Sequence, residues 1–193
     1  MGSGVRDPQA WRSTATLLSS LAEQISTVRF INIGGGLGVV EKPGEFPLDL
    51  DIFDESLKPI HAAHPNLEIW IEPGRFLVAE SGVLLTRVTQ RKRKVDRRYL
   101  GVNGGMNALI RPALYGAWHE IVNLTKHRDP PVERVTIVGP ICESGDTLGY
   151  DRLLPMSAEG DMILVATAGA YGRVMSSGYN RRPMPEEIIL ENG

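Results

Sequence analysis

The stretch Val28-Arg29-Phe30-Ile31-Asn32-Ile33-Gly34-Gly35-Gly36-Leu37-Gly38 sets the reading of the fold. Residues 28–33 have the pattern of a short apolar strand, and three successive glycines end it abruptly. Upstream, Asp7-Pro8 marks a helix start, with Asp as N-cap and Pro at the first helical position. Trp11, Ala15, Leu18, Leu21, Ala22 and Ile25 follow at helical spacing. Downstream, a second helix is expected over residues 51–64, burying Ile52, Phe53, Leu57 and Ile60 and kinked by Pro59. Residues 67–71 form another buried strand that runs into Glu72-Pro73-Gly74-Arg75. Helices alternating with apolar strands argue for βα units with parallel strands.

Beyond about residue 80 the texture changes. Residues 82–90, 98–103, 119–124, 132–138 and 162–168 read as strands separated by turn residues. The expected division is therefore an α/β segment over 1–80 and a β-rich domain over 81–193. The first segment supplies only two strands and two helices, and a parallel sheet needs both faces covered. Either it docks on something else or the chain is a piece of a longer protein.

The composition is that of a globular protein: 193 residues, 42% hydrophobic and 23% charged. The 21 Lys and Arg against 23 Asp and Glu give a net charge of −2, which disfavours a nucleic-acid-binding domain. The exception, Arg91-Lys92-Arg93-Lys94 with Arg97 and Arg98, reads as a solvated strand edge. The single cysteine, Cys142, permits no intrachain disulfide, in keeping with a reducing compartment. No apolar leader opens the chain, and no run approaches the roughly 18–20 apolar residues of a membrane helix, so a cytoplasmic location is expected.

Gly34-Gly35-Gly36 after a strand is either a plain tight turn or a cradle of backbone N–H groups for an anion, most often phosphate. Val39 stands where a dinucleotide fingerprint would need its third glycine, which disfavours a dinucleotide fold. Glu72 ends a strand, where parallel α/β architectures build their sites. Its alternatives are an ion pair with Arg75 or a helix cap. The loop Gly139-Pro140-Ile141-Cys142-Glu143-Ser144-Gly145-Asp146 places a thiol beside two carboxylates. A lone Cys without a nearby His lacks a metal ligand set, so no metal is expected. Arg111 and Tyr115, four apart on a short helix, share a face suited to a carboxylate. Gly169-Ala170-Tyr171-Gly172 offers a phenol at a helix start. His61, His64, His119 and His127 show no metal spacing, and the first two are expected to face solvent.

In this order, Gly34-Gly35-Gly36, Glu72-Pro73-Gly74-Arg75, Arg111-Pro112-Ala113-Leu114-Tyr115, Cys142-Glu143-Ser144-Gly145-Asp146 and Gly169-Ala170-Tyr171 resemble the motifs of the fold-type III pyridoxal-phosphate (PLP) decarboxylases of basic amino acids. The likeness is greatest to the branch acting on diaminopimelate, and the Arg111–Thr125 stretch is similar to the form fused to aspartate kinase. It implies a (β/α)8 barrel, of which 1–80 would be the final part, followed by a β-rich C-terminal domain over 81–193. It also implies that Ser3, Gly34, Gly35, Gly36, Gly74, Arg75 and Tyr171 hold the cofactor phosphate region, and that Glu72 bonds the pyridine nitrogen. Arg75, Arg111, Tyr115 and Glu143 would contact substrate, and Cys142 would reprotonate the α-carbon. Cys142 and Glu143 would reach into the neighbouring subunit's site, making a homodimer necessary.

The implied reaction is decarboxylation of meso-diaminopimelate to L-lysine. Its alternatives are decarboxylation of ornithine, arginine or lysine, and a non-catalytic member acting through the dimer surface. The opening Met1-Gly2-Ser3-Gly4 reads as the end of the family's His-x-Gly-Ser motif or as sequence added in cloning. The family's cofactor-anchoring lysine has no counterpart among Lys42, Lys58, Lys92, Lys94 and Lys126, so the chain alone is expected to be inactive. An incomplete barrel exposes strand edges and apolar faces, so association is expected. Asn103 departs from the family's usual Asp.

Overall fold

The computed structural model describes residues 2–191, so Met1, at the head of the Met1-Gly2-Ser3-Gly4 stretch, lies outside them. It divides into two compact units, Met1–Val78 and Ala79–Gly193.

The first unit runs α1 (Gln9–Ala22), β1 (Phe30–Asn32), α2 (Leu50–Ala63), β2 (Glu68–Trp70) and α3 (Gly74–Val78). Asp7 Oδ1 accepts from the Gln9 N–H at 3.0 Å, and Asp49 Oδ1 accepts from Asp51 and Ile52, so both long helices start on aspartates. β1 and β2 pair in parallel, Phe30 opposite Glu68 and Asn32 opposite Trp70. Trp11 is the keystone of the core: wholly buried, it meets Phe53 edge-on at 5.3 Å, and its indole N–H donates to the Gly35 carbonyl at 3.0 Å.

α2 contains Pro59 within its span. One expectation for its buried face fails. Ile52 is 58% exposed; Phe53, Ser56 and Ile60 form the buried stripe, because the helical period selects positions three and four apart. Leu21 and Ile25 also lie outside the core.

The second unit carries β3 (Leu84–Lys94), β4 (Arg97–Val102), α4 (Arg111–Tyr115), β5 (Ile121–Asn123), β6 (Glu133–Val138), β7 (Thr147–Leu154) and β8 (Met162–Val165). They form one six-stranded sheet in the order β5-β8-β3-β4-β6-β7, in which only β4 and β6 pair in parallel. β3 serves two partners: Leu84–Arg87 pairs with β8, and from Val88 onward it pairs with β4 across a bulge. Asn103 steadies the point where the partners change. Its Oδ1 accepts from the Thr86 hydroxyl at 2.7 Å and the Arg87 N–H at 2.8 Å. Only an acceptor oxygen is needed there, which Asn and Asp both supply.

The sequence reading missed β7, whose Gly149 and Asp151 look like turn residues. Gly149 is small because a Cβ would run into Arg152 and the Ile121 side chain. The basic run is exposed, as expected of a solvated strand edge, and two of its arginines also pair inward. Arg91 donates to Glu133 Oε2 at 2.7 Å and Arg98 lies 3.7 Å from the same atom, while Glu133 Oε1 accepts from the Ser157 N–H at 2.9 Å. Glu133 is wholly buried, so two of these arginines neutralise an interior carboxylate rather than merely solvating an edge. A second buried cluster joins Asn123 to Ser157 and Asp161 at 3.0 and 2.9 Å, with Lys126 Nζ 3.3 Å from Asp161.

Removing the Glu133 carboxylate strands Arg91 and a buried N–H. Glu133→Ala is expected to lower unfolding free energy in urea by about 3–5 kcal/mol, and Glu133→Gln by clearly less because it keeps an acceptor. Equal losses would contradict this account. Asp161 makes a pH prediction. Burial alone would raise its pKa, but hydrogen bonds from Asn123, the Ala158 N–H and Lys126 outweigh burial and hold it below the usual 3.8. The unfolded chain therefore takes up this proton at higher pH than the folded unit does. The contribution to stability is complete above the unfolded value and is lost as pH falls through the depressed folded one. Urea midpoints followed into acid should fall more steeply for the wild type than for Asp161→Asn.

Candidate functional site

In the first unit the two parallel strands carry their pairing past their own ends. Ile33 N–H donates to Trp70 O at 3.0 Å, and Glu72 N–H to Gly34 O at 2.9 Å. The glycine stretch and Glu72 are thus brought side by side by the ladder itself. Gly34 and Gly36 have φ of +77° and +86°, and a Cβ on Gly35 would run into the Glu72 carbonyl. Asn32 ties the two motifs through its side chain: Nδ2 donates to Glu72 Oε1 at 2.6 Å, and Oδ1 accepts from Gly34 N–H at 2.8 Å. Asn32, not Arg75, is therefore the partner of Glu72. Sequence reading missed it, and its only signal was a polar residue inside an apolar strand.

The amino-terminal segment completes this cluster. Val5 pairs with Leu37 in parallel, through Val5 N–H to Gly36 O at 2.9 Å and Gly38 N–H to Val5 O at 2.8 Å. This brings Ser3 to Arg75, whose Nη2 donates to Ser3 Oγ at 2.8 Å while Nη1 meets Glu41 Oε1 at 3.0 Å. Arg75 Nε is buried without an acceptor. Glu41 was also missed, lying in a loop with no motif around it.

In the second unit Asp146 proves to be the anchor of the Cys142 loop. Its Oδ1 accepts from Met106 N–H and its Oδ2 from Ile141 N–H, both at 2.6 Å, and it is buried. Gly105 and Gly139 are glycine because a Cβ on either would strike this carboxylate. Cys142 and Glu143 are exposed on the loop so fixed. Glu143 accepts a long 3.5 Å hydrogen bond from the Tyr179 hydroxyl. With Ser144, Arg97, Tyr99 and Tyr150, Glu143 also lines an open groove of about 400 Å³.

Arg111 and Tyr115 lie four apart on one turn of helix, with different exposure. Arg111 is 4% exposed and Tyr115 64%, since α4 is little more than one turn and leaves at Gly116 with φ +62°. The Arg111 Nη1 lies 3.1 Å from His119 Nε2, and His119 Nδ1 lies 2.9 Å from Ala166 O. Tyr171 sits in a turn with φ +65°, not at a helix start, and is half exposed. His119, read from the sequence only as lacking metal spacing, is wholly buried.

The first-unit cluster fits a phosphate-bearing cofactor: an orphaned buried guanidinium N–H, a hydroxyl already drawn to that guanidinium, and glycine backbone without side chains beside it. Gly35→Ala is expected to force Gly35 and Glu72 apart. The cost should be about 1–3 kcal/mol in chemical denaturation, as for other over-packed sites, with loss of affinity for a phosphate-bearing ligand. Unchanged stability and affinity would show that the close approach is dispensable.

The chain is 37% identical over 206 residues to the diaminopimelate decarboxylase of Methanothermobacter thermautotrophicus, covering 100% of this chain and 47% of that protein. It is 43% identical over 175 residues to that of Pseudomonas aeruginosa, covering 91% of this chain and 41% of the relative. The crystal structure of diaminopimelate decarboxylase from Helicobacter pylori complexed with L-lysine superposes with a TM-score of 0.84 at 36% identity, covering 95% of this chain and 46% of that one. The chain thus spans about half the length of the curated relatives it matches. Residues 17–169 match the family model described as pyridoxal-dependent decarboxylase, C-terminal sheet domain, and the chain belongs to that family.

Proposed function

We propose that this chain supplies the carboxy-terminal half of a PLP-dependent enzyme that decarboxylates meso-diaminopimelate to L-lysine, its first unit being the last part of a (β/α)8 barrel. The observation that carries this reading is the cluster of Gly34–Gly36, Glu72, Asn32, Arg75 and Ser3 at two parallel strand ends. The glycine N–H groups, Ser3 Oγ and Arg75 would hold the phosphate, with Gly74 turning the chain toward Arg75. Glu72, oriented by Asn32, would accept the pyridinium N–H and keep the ring protonated. Bound PLP supplies the electron sink for the charge left on the α-carbon as carbon dioxide departs.

Substrate roles fall to the second unit. Arg111 and Tyr115 would take the carboxylate, and Glu143 the ammonium, at the far end of diaminopimelate. A charge-assisted hydrogen bond from arginine to that carboxylate would favour diaminopimelate over diamino acids that carry only an amine there. Cys142, exposed beside Glu143, would deliver the proton to the α-carbon. We place this loop in the partner's site of a homodimer, consistent with the exposure of both side chains. Tyr171 would help hold the cofactor. Among the described residues no helix is long and apolar enough to cross a membrane; we place the enzyme in the cytoplasm.

The anchoring lysine is assigned outside this chain. Lys58 pairs with Asp54 and Glu55, Lys126 with Asp161, and Lys92 and Lys94 lie on β3. Borohydride reduction with PLP, followed by intact mass, should give no adduct on the 193-residue chain. The chain joined to the amino-terminal half of the Pseudomonas aeruginosa relative should give one, and should release carbon dioxide from meso-diaminopimelate. In that holoenzyme Glu72→Gln should retain PLP but lose kcat by about 100-fold, the scale of one electrostatic stabiliser. A stoichiometric adduct on the chain alone, or turnover of ornithine in preference to diaminopimelate, would overturn the reading.

A further inference from the structure

The second-unit groove of about 400 Å³ has the volume of a small-molecule site. Its lining includes Arg97 and five residues that carry a hydroxyl: Tyr99, Thr136, Ser144, Thr147 and Tyr150. Among the described residues none of these six side chains makes a hydrogen bond or ion pair, although Thr136 and Thr147 are buried. Buried polar groups are ordinarily partnered, so uncommitted hydroxyls gathered on one groove mark a place for a bound molecule. The register extends the cationic wall beyond Arg97. Lys94 stands directly opposite Arg97 and Lys92 opposite Tyr99, so all four side chains emerge on one face of the β3–β4 hairpin. Arg91, Arg93 and Arg98 alternate onto the other face, where Arg91 and Arg98 meet Glu133. Lys94 and Arg97 have no such carboxylate among the described residues. Like charges directly opposite on paired strands are destabilising. The chain carries that cost locally: residues 91–98 hold six Lys and Arg and one Asp, in a sequence of net charge −2.

We infer that this groove is a binding site for a small oxyanion, a phosphate or a phosphate monoester. Arg97 and Lys94 can only donate and each hydroxyl can donate, so the complementary ligand is rich in acceptor oxygens and negative charge. An anion there relieves the repulsion between Lys94 and Arg97, and a cleft walled by one sign of charge concentrates the opposite ion. Glu143 lines the same groove, and its carboxylate disfavours a polymer with many phosphates. A single anionic group beside Arg97 fits better. Asp146, the other carboxylate of the lining, is already satisfied by the Met106 and Ile141 N–H groups. The inference does not rest on the activity proposed above.

Inorganic phosphate titrated into the 193-residue chain, against sodium chloride of equal ionic strength, tests this by NMR of carbon-13-labelled tyrosine rings. Tyr99 and Tyr150 should shift together and saturably. Arg97→Gln should weaken phosphate binding about tenfold, the scale of one charge-assisted hydrogen bond, and Arg97→Lys should recover most of it. Tyr99→Phe, which removes only a hydroxyl, should weaken it about threefold at the Tyr150 signal. Arg93→Gln removes the same charge from the opposite face of the same hairpin and should change affinity by less than about twofold. Arg75→Gln, which disables the first-unit cluster, should leave these shifts as they are, so failure of one site does not imitate failure of the other. Glycerol 3-phosphate in place of inorganic phosphate separates the two sources: tighter binding of the ester assigns the groove to a phosphorylated small molecule, and tighter binding of the ion assigns it to free phosphate. Shifts that grow without saturating, or equal losses in Arg93→Gln and Arg97→Gln, overturn the inference, because diffuse attraction to the hairpin would then account for the binding.

Discussion

The close approach of Gly35 to the Glu72 carbonyl is the constraint on which the first unit's chemistry depends. Parallel pairing does not stop at the last strand residues but runs on through Ile33 and Glu72. That continuation is possible only where one partner has no side chain at the point of contact. It places a carboxylate, a glycine-lined backbone and the start of α3 together without any of them being held by a long loop. Trp11 then locks the same glycine from the core side through its indole N–H, so core packing and site geometry share one residue.

The second unit solves a different problem. It carries buried carboxylates, three of them compensated by named partners: Glu133 by Arg91, Arg98 and a backbone N–H, Asp161 by Asn123, Lys126 and Ala158, Asp146 by two backbone N–H groups. These carboxylates do structural work that composition hides. Asp146 sits in the motif that bears Cys142 and Glu143, yet it faces inward and fixes the loop that presents them. A motif can therefore mix residues presented to solvent with residues that only shape the backbone, and burial separates the two.

Where the sequence reading went astray, a longer-range partner was the cause. The pairing of Arg91 and Arg98 was hidden because their counter-charge, Glu133, lies on a strand far along the chain. β7 was hidden because Gly149 and Asp151 resemble turn residues when their packing partners are unknown. Asn32, Glu41 and His119 carried no motif, and each gained meaning only from the group opposite it.

By itself the sequence determined the local events: helix starts at aspartates, apolar strands ended by Gly34–Gly36 and by Glu72, the change of texture near residue 80, and the ordered motifs that led to the family. These follow from short-range backbone preferences and from periodicity, which a chain displays without folding. Only the tertiary structure decided which polar groups meet. That Glu72 rests on Asn32, that Arg75 reaches Ser3 and Glu41, and that Arg111 is held by His119 are consequences of pairing between distant segments. Hydrogen-bond geometry between such segments is fixed by packing, which no local pattern encodes.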